Sequence, residues 1–155
     1  MSNMRDELRT PPTTDVPMYS IGTVARMLGV SVFTLRMYER EGLIISHKAA
    51  STHRLYSQSD IERLKCIRHG INEEKLSIAG IRKIYSMIPC WDIVQCSDSN
   101  RKKCPAFSGH AQPCWTYDHE HNACTKLDCR SCEVYHLSSD CDKIKASITN
   151  LTRVK

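Results

Sequence analysis

Residues 19–44 read YSIGTVARMLGVSVFTLRMYEREGLI, and this stretch predicts the fold. Two runs within it, Ile21–Leu28 and Val32–Arg40, have apolar residues at helical spacing, and each follows a serine that can cap a helix. Gly29 lies at the break between them, and two short helices joined by a glycine-containing turn are typical of a helix-turn-helix. Gly42 follows the second run and predicts its end.

A hairpin and two further helices are predicted after this pair. The apolar run at residues 43–45 and the segment at residues 54–56, separated by a polar loop, indicate the two strands of a wing. Ser57 begins a capping-box-like segment that leads into a third helix. A fourth helix is expected over residues 78–88, where Pro89 stops it. A helix-turn-helix with a wing suits DNA, because a helix fits the major groove and a hairpin reaches an adjacent groove or the backbone.

The front half also carries the charge that such a role needs. Residues 1–89 contain 13 Lys/Arg and 9 Asp/Glu, a net charge of +4, whereas residues 90–155 contain 9 and 8, a net charge of +1. We expect the phosphate partners to come from a basic set over residues 18–70, which includes Arg26, Arg36, Arg40, Lys48, Arg54, Arg63, Lys65 and Arg68. The first 17 residues are polar and proline-containing and are expected to form a flexible leader.

Residues 19–88 resemble the DNA-binding domain of the MerR family of bacterial regulators. The resemblance is carried by the stretch quoted above and by HRLYSQSDIERLKCIRHGINEEKLSIAGIRKI at residues 53–84. The INEEKLSIAGI portion is more similar to the heat-shock-repressor branch than to the mercury-sensing branch. The resemblance implies a homodimer on near-palindromic, double-stranded promoter DNA. Many members of the family act on RNA polymerase by deforming the promoter, and others repress.

The resemblance also assigns DNA-binding residues by position. Arg36 and Arg54 would contact phosphate, and residues 33 and 34 would read base edges. Position 33 is usually polar or basic in the family but is phenylalanine here, which could touch a thymine methyl or be packed. The expected residues on or beside the recognition helix are Ser31, Phe33, Thr34, Arg36 and Tyr38, and those in the wing are Arg54 and Tyr56.

Cysteine dominates the back half. The chain has nine cysteines, and eight of them fall between Cys90 and Cys141, while Cys66 lies alone in a helical pattern as an expected small buried residue. Such density suits disulfides in an oxidising compartment or metal ligation in a reducing one. A DNA-binding front half indicates the bacterial cytoplasm and its nucleoid. Because that compartment is reducing, we expect these cysteines to bind metal. The expected ligands are Cys90, Cys96, Cys104, Cys114, Cys124, Cys129, Cys132 and Cys141.

The spacing of these cysteines favours an iron–sulfur cluster, with zinc as the alternative. Cys124-x4-Cys129-x2-Cys132 followed by a later cysteine matches plant-type [2Fe–2S] ligation. Zinc modules favour paired C-x2-C knuckles, and Cys129 and Cys132 form the one pair in the chain. A weak repeat of Cys-Trp at residues 90 and 114 predicts two related segments with tryptophan anchors. Nearby histidines could replace a cysteine as ligand: His110, His119, His121 and His136.

The cysteine segment resembles "CW" modules of sensory proteins in anaerobic bacteria, through CWDIVQC, KCPAF, PCW and CRSCEVY. One branch of the MerR family senses redox stress with a [2Fe–2S] cluster, although its cysteines are more tightly spaced. The family's long dimer helix is interrupted here by Pro89, so dimerisation would use the cysteine-rich part or a short terminal helix over residues 142–155.

The sequence therefore predicts a mainly α fold, with a winged helix-turn-helix at residues 18–89 and an irregular, metal-stapled cysteine-rich domain at residues 90–141. The leading hypothesis is a transcriptional regulator, not an enzyme, whose cysteine domain senses metal or redox state. The alternative keeps DNA binding and makes the metal a structural zinc in a dimerisation or protein-docking module. A thiol–disulfide oxidoreductase built on Cys129 and Cys132 lacks the βαβ context that such a motif needs. No apolar run is long enough to span a bilayer, and the N-terminal residues are not expected to form a secretory signal.

Overall fold

The fold is described for residues 15–48, 53–120 and 122–153 of a computed structural model. Short helices dominate it, as the sequence predicts. In chain order the front half contains β1 (Tyr19–Ser20), α1 (Ile21–Leu28), α2 (Val32–Arg40), β2 (His47–Lys48), β3 (Arg54–Tyr56), α3 (Gln58–Asn72) and α4 (Ile78–Ser86). The cysteine-rich part contains α5 (Cys90–Ile93), α6 (Asp98–Lys102), α7 (Pro105–Ser108), α8 (Glu133–Leu137) and α9 (Cys141–Arg153), with 3-10 turns at Cys114–Thr116 and Cys129–Ser131. Among the described residues, none of the helices could cross a membrane.

The helix-turn-helix forms at the predicted bounds, because local hydrogen bonds define both helix starts. The Ser31 hydroxyl accepts the Thr34 N–H at 3.0 Å and caps α2, and Ser20 caps α1 in the same way. Gly29 ends α1 with a φ of 65°, in the left-handed region that glycine enters without a steric cost. The turn between the helices is therefore written locally in the sequence.

The wing differs from the predicted hairpin. The sheet has three strands in the order β1-β3-β2, with both pairs antiparallel, and Tyr19 pairs with Tyr56 across β1 and β3. The apolar residues Leu43 and Ile44 were expected in the first wing strand, but they are buried in the core instead. The wing strand begins later, at His47, because the apolar run is needed to cover the helices.

One core joins both halves of the chain. Most of its members come from the helix-turn-helix, α3 and α4, but Val134 of α8 and Ile144 of α9 belong to the same cluster. A cysteine-rich segment with helices of four or five residues has little core of its own, so it docks on the winged helix. The buried apolar residues are Val24, Ala25, Leu35, Tyr38, Leu43, Ile44, Tyr56, Ile61, Leu64, Ile67, Ile81, Tyr85, Ile88, Val134, Tyr135 and Ile144.

Gly42 lies where the two halves meet. Its carbonyl accepts the indole N–H of Trp115 at 2.7 Å. Its φ is 76°, and a Cβ built there would overlap the side chain of Thr116. The glycine that follows α2 and its cap is therefore also the one that lets the Cys-Trp segment approach.

Three expectations about segment ends change. The predicted leader extends to residue 17, and residues 1–14 lie outside the described part, but Asp15 is buried with 8% of its surface exposed. The fourth helix ends at Ser86 rather than residue 88, and Pro89 precedes α5. The terminal helix is present at Cys141–Arg153, one residue earlier than expected.

Candidate metal centre and nucleic-acid interface

Seven of the eight expected cysteine ligands line a single cavity of about 40 Å³. A cavity needs about 15 Å³ to hold one water molecule, so this cavity is larger than an ordinary packing defect. Its walls are otherwise mainly apolar, and they include Trp91, Val94, Phe107 and Leu127. The cysteines that the fold brings together are Cys90, Cys96, Cys104, Cys114, Cys124, Cys129 and Cys132.

Cys141 is the exception, and its assignment as a ligand is wrong in this structure. It forms a disulfide with Cys66 of α3, with 6.4 Å between the Cα atoms and a sequence separation of 75. Cys66 was expected to be a small buried residue. The sequence pattern could not separate Cys141 from the other seven, because the pairing depends on how α9 crosses α3.

Short helical turns deliver the cysteines to the cavity. Cys90 and Cys114 are the first residues of their turns, and Cys104 and Cys132 are the caps that precede α7 and α8. Cys129 begins the 3-10 turn that leads to Cys132. Backbone N–H groups at the start of a helical turn point outward and favour negative charge, which suits a thiolate ligand.

The thiols also shift one another's pKa. The hydrogen bond from the Cys114 thiol lowers the pKa of Cys90, and the same contact, with burial, raises the pKa of Cys114. Burial and the neighbouring thiolates raise the pKa of Cys124 to about 11. A cavity that holds so many thiols without a cation therefore resists a second negative charge. A metal that binds thiolates would remove that penalty.

The two Cys-Trp copies have different jobs in the packing. Trp91 packs edge-on against Phe107 within the cysteine-rich part, with ring centroids 5.2 Å apart. Trp115 instead packs against Tyr85 of α4 and Tyr135 of α8, at 5.5 and 5.1 Å. Both tryptophans therefore act as packing anchors, as predicted. Of the two, Trp115 is the one that packs against the front half.

The histidine alternatives gain little support from the geometry. His119 lines the cavity, but its Nε2 pairs with the Cys114 carbonyl at 2.7 Å and its Nδ1 with the Asn122 amide at 3.0 Å. Both ring nitrogens are therefore engaged. His110 and His136 do not line the cavity, and His121 lies outside the described residues.

A second cluster of ligand-type side chains lies at the base of the wing. Asp15, His47 and Asp60 are the group of three in the described chain whose ligand atoms lie within 4.8 Å of one another. The Arg130 guanidinium already fills this group, with Nη2 at 2.9 Å from Asp15 Oδ1 and 2.6 Å from Asp60 Oδ2. The sequence analysis missed Arg130, because its carboxylate partners are 70 and 115 residues away.

The surface of α2 presents part of the predicted DNA-reading set. Phe33 is 67% exposed, and the Arg40 guanidinium lies 5.6 Å from its ring centroid. Arg36 is exposed as well, and Thr34 is half-buried beside the capping hydroxyl of Ser31. Phe33 is therefore not packed, and it stands on the face that a major groove would meet.

Two tyrosines and one arginine leave the predicted set. Tyr38 and Tyr56 are buried, with 2% and 0% of their surfaces exposed, so neither can touch DNA in this conformation. Arg63, expected as a phosphate partner, is buried over the Tyr135 ring at 3.7 Å. Arg54 remains partly exposed, but its Nε donates to Glu39 of the recognition helix. Tyr38, Tyr56 and Arg63 therefore belong to the interior of the domain and not to its surface.

The sequence profile of the MerR HTH family regulatory protein matches residues 19–88. A Streptomyces coelicolor protein described as heat shock protein HspR is 36% identical over 75 residues, covering 48% of this chain and 50% of the relative. The Escherichia coli HTH-type transcriptional regulator ZntR is 38% identical over 72 residues, covering 45% and 50%. The HTH-type transcriptional activator TipA of Streptomyces coelicolor is 44% identical over 50 residues, covering 32% and 20%.

The chain thus spans about half the length of the first two of these relatives, and the family profile matches the front half of this chain. The matched residues coincide with β1 to α4 of the structure. Residues 19–88 of this chain are a MerR-family helix-turn-helix domain.

Proposed function

We propose that this chain is a DNA-binding transcriptional regulator whose cysteine centre holds an iron–sulfur cluster and reports redox or metal state. The observation that carries the proposal is one cavity lined by seven cysteines, fused to a MerR-family helix-turn-helix domain. ZntR and TipA are transcriptional regulators by name, which supports transcription control rather than catalysis. The proposed site of action is promoter DNA in the bacterial cytoplasm and nucleoid, with an indirect effect on RNA polymerase and a second copy of the chain as partner.

The spacing of the sulfur atoms favours a cluster over zinc. Tetrahedral zinc with bonds of about 2.3 Å holds its four sulfurs about 3.8 Å apart. In the described chain, no three cysteines bring their sulfurs within 4.8 Å of one another, although seven of them line one cavity. A cluster with more than one iron distributes its thiolates over a larger framework. The donor set is all thiolate in a mainly apolar wall, which suits such a cluster.

Cys124, Cys129 and Cys132 are the proposed first ligands. They have the spacing of plant-type [2Fe–2S] ligation, and all three line the cavity. Because Cys141 is bonded to Cys66, the fourth ligand comes from the remaining cavity cysteines: Cys90, Cys96, Cys104 and Cys114. When bound, the cluster supplies one-electron redox chemistry, and the protein supplies the thiolates and the apolar shield.

Structural zinc is the second candidate, because Cys129 and Cys132 form a C-x2-C knuckle and the segment has little core of its own. The deciding experiment is anaerobic purification with visible absorption, iron, sulfide and zinc analysis. We expect a brown protein with iron and sulfide, and the colour should fall in a Cys129→Ser variant but persist in Cys141→Ser. A colourless protein that carries zinc would contradict the cluster and favour the structural role.

A further inference from the structure

Arg130 lies between two of the cysteines that line the cavity, and its side chain faces away from them. It occupies the 3-10 turn Cys129–Ser131, one residue after Cys129 and two before Cys132. Its side chain is 8% exposed, although it is an arginine in a segment of irregular structure. A buried arginine at that point is stable only where its partners satisfy the guanidinium.

Those partners all belong to the base of the wing. Arg130 Nη2 binds Asp15 and Asp60, and Nε donates to His47 Nε2 at 2.7 Å. Nη1 donates to the carbonyl of Ile45. The hydrogen bonds that the guanidinium donates therefore all go to the front half and none to the cysteine centre.

The same partners control how the wing strands leave the domain. Ile45 and His47 lead into and begin β2, and Asp60 closes the capping box that starts α3 directly after β3. Arg130 thus ties the entry of one wing strand to the exit of the other. Among the described residues, it is the cation that pairs with Asp60.

A separate set of contacts holds the two halves together. Arg63 of α3 stacks on Tyr135 and donates to its carbonyl, while the Tyr135 hydroxyl accepts the Ile45 N–H at 2.8 Å. Trp115 adds its hydrogen bond to Gly42. These contacts do not involve the Cys129–Ser131 turn, so docking has support that does not depend on Arg130.

We propose that Arg130 is a positioning residue that couples the cysteine centre to the wing. The inference rests on the proposed function, since it assumes that metal binds at Cys129 and Cys132. Binding there sets the 3-10 turn, the turn places the guanidinium, and the guanidinium sets β2 and the start of α3. Loss of the metal frees the turn and loosens the wing, without any contact between Arg130 and DNA.

The test compares the full-length protein, reconstituted anaerobically with iron and sulfide, with the same protein after stripping by chelator. Affinity for promoter DNA and hydrogen exchange of the amides at residues 45–48 and 54–60 are measured in both states. The variants are Arg130→Gln and Arg130→Lys, and the control is Lys143→Gln. Lys143 is a cation of α9 that does not line the cavity, and its ion pair is with the nearby Asp140.

We expect stripping to change the DNA affinity of wild type and of Lys143→Gln by a factor in the range of about 5–150. In Arg130→Gln the ratio should approach one, with unchanged iron content, and the wing amides should already exchange fast in the loaded state. Arg130→Lys keeps the buried positive charge but loses the fork, so its ratio should fall between the two. It also provides the measurement if the glutamine variant does not fold.

A wild-type ratio in a folded Arg130 variant that retains iron would overturn the coupling role and leave the proposed function intact. A wild-type protein that binds iron but shows the same DNA affinity in both states would instead overturn the sensing function, and the coupling with it. A protein that takes up no iron would overturn the proposed cluster, and the coupling role of Arg130 with it.

Discussion

Tyr56 carries a hydroxyl that is buried without a hydrogen-bond partner among the described residues. The ring is at the sheet centre, where β3 pairs with β1, and its apolar area stabilises the core. The hydroxyl costs free energy there, because a buried donor and acceptor have lost their water. Burial accordingly raises the pKa of Tyr56 to about 12.

Tyr56→Phe should raise the free energy of unfolding at pH 7 by about 1 kcal/mol, since it removes an unpaired buried group. Between pH 10 and 12 the unfolded tyrosine loses its proton while the folded one keeps it, so rising pH favours unfolding of the wild type more than of the variant. Urea titrations across this range measure both effects, with Tyr19→Phe on the facing strand as control. A loss of more than about 1 kcal/mol at pH 7 would show that the hydroxyl has a partner.

Arg36 is the exposed cation expected to contact phosphate from the recognition helix. Arg36→Ala should weaken DNA binding to a similar extent on all sequences and reduce the salt slope of the binding constant by about one. Phe33→Ala, in contrast, should alter preference at one base pair while leaving the salt slope unchanged. Fluorescence anisotropy over a salt series measures the slopes, with Lys145→Ala on α9 as a charge-matched control. Equal slopes for Arg36→Ala and wild type would remove the phosphate contact.

At the scale of elements, α9 is held by two kinds of contact. Ile144 is buried in the common core, and Cys141 is bonded to Cys66 of α3. The helix is amphipathic and thirteen residues long, which is marginal for an isolated helix in water. Its attachment to the DNA-binding domain therefore depends on these tertiary contacts and not on its own propensity.

Cys66→Ser and Cys141→Ser should each lower the free energy of unfolding of the oxidised protein by about 4 kcal/mol, given the sequence separation of 75 between the partners. The double variant should lose no more than either single variant, because each removes the same cross-link. Urea unfolding under oxidising and reducing conditions measures these losses. Thiol counting by mass spectrometry should find two fewer free thiols in the wild type without reductant than in the wild type with reductant. Additive losses would show that the cysteines act separately.

At the scale of the whole molecule, the stability of the cysteine-rich part depends on its packing against the front half and on its cavity cysteines. Between residues 90 and 137 the described helices have four or five residues, and each of these lengths is too short to be stable alone. The seven cavity cysteines join these segments around one point. Metal binding would therefore contribute to folding as well as to sensing.

Removal of the metal should destabilise the protein as a whole, because Val134 and Ile144 share the core of the helix-turn-helix. A metal present at a thousand times its Kd stabilises the folded state by about 4 kcal/mol, so Tm should fall when the chelator is added. Circular dichroism and calorimetry follow the loss, and the Cys141→Ser variant serves as a control whose cavity ligands are intact. An unchanged Tm would show that the cysteine centre binds no metal in the folded protein.

Much of the architecture is predictable because its causes lie within a few residues. The serine caps and Gly29 specify the helix-turn-helix through contacts over three or four positions. The cysteine pattern identifies seven residues that do line one cavity. The wing was less predictable. The apolar run at residues 43–45 has strand propensity, but Leu43 and Ile44 pack in the core and the strand begins later.

The sequence by itself determined the MerR-like front half, the change of chemistry at Cys90, and the group of cysteines that are the expected metal ligands. The tertiary structure alone decided that Cys141 leaves this group for Cys66, that Tyr38 and Tyr56 turn inward, and that Arg130 reaches the wing. The physical reason is separation along the chain. Caps and periodicity act between near neighbours, whereas Arg130 and its carboxylates meet across 70 and 115 residues, where only packing brings them together.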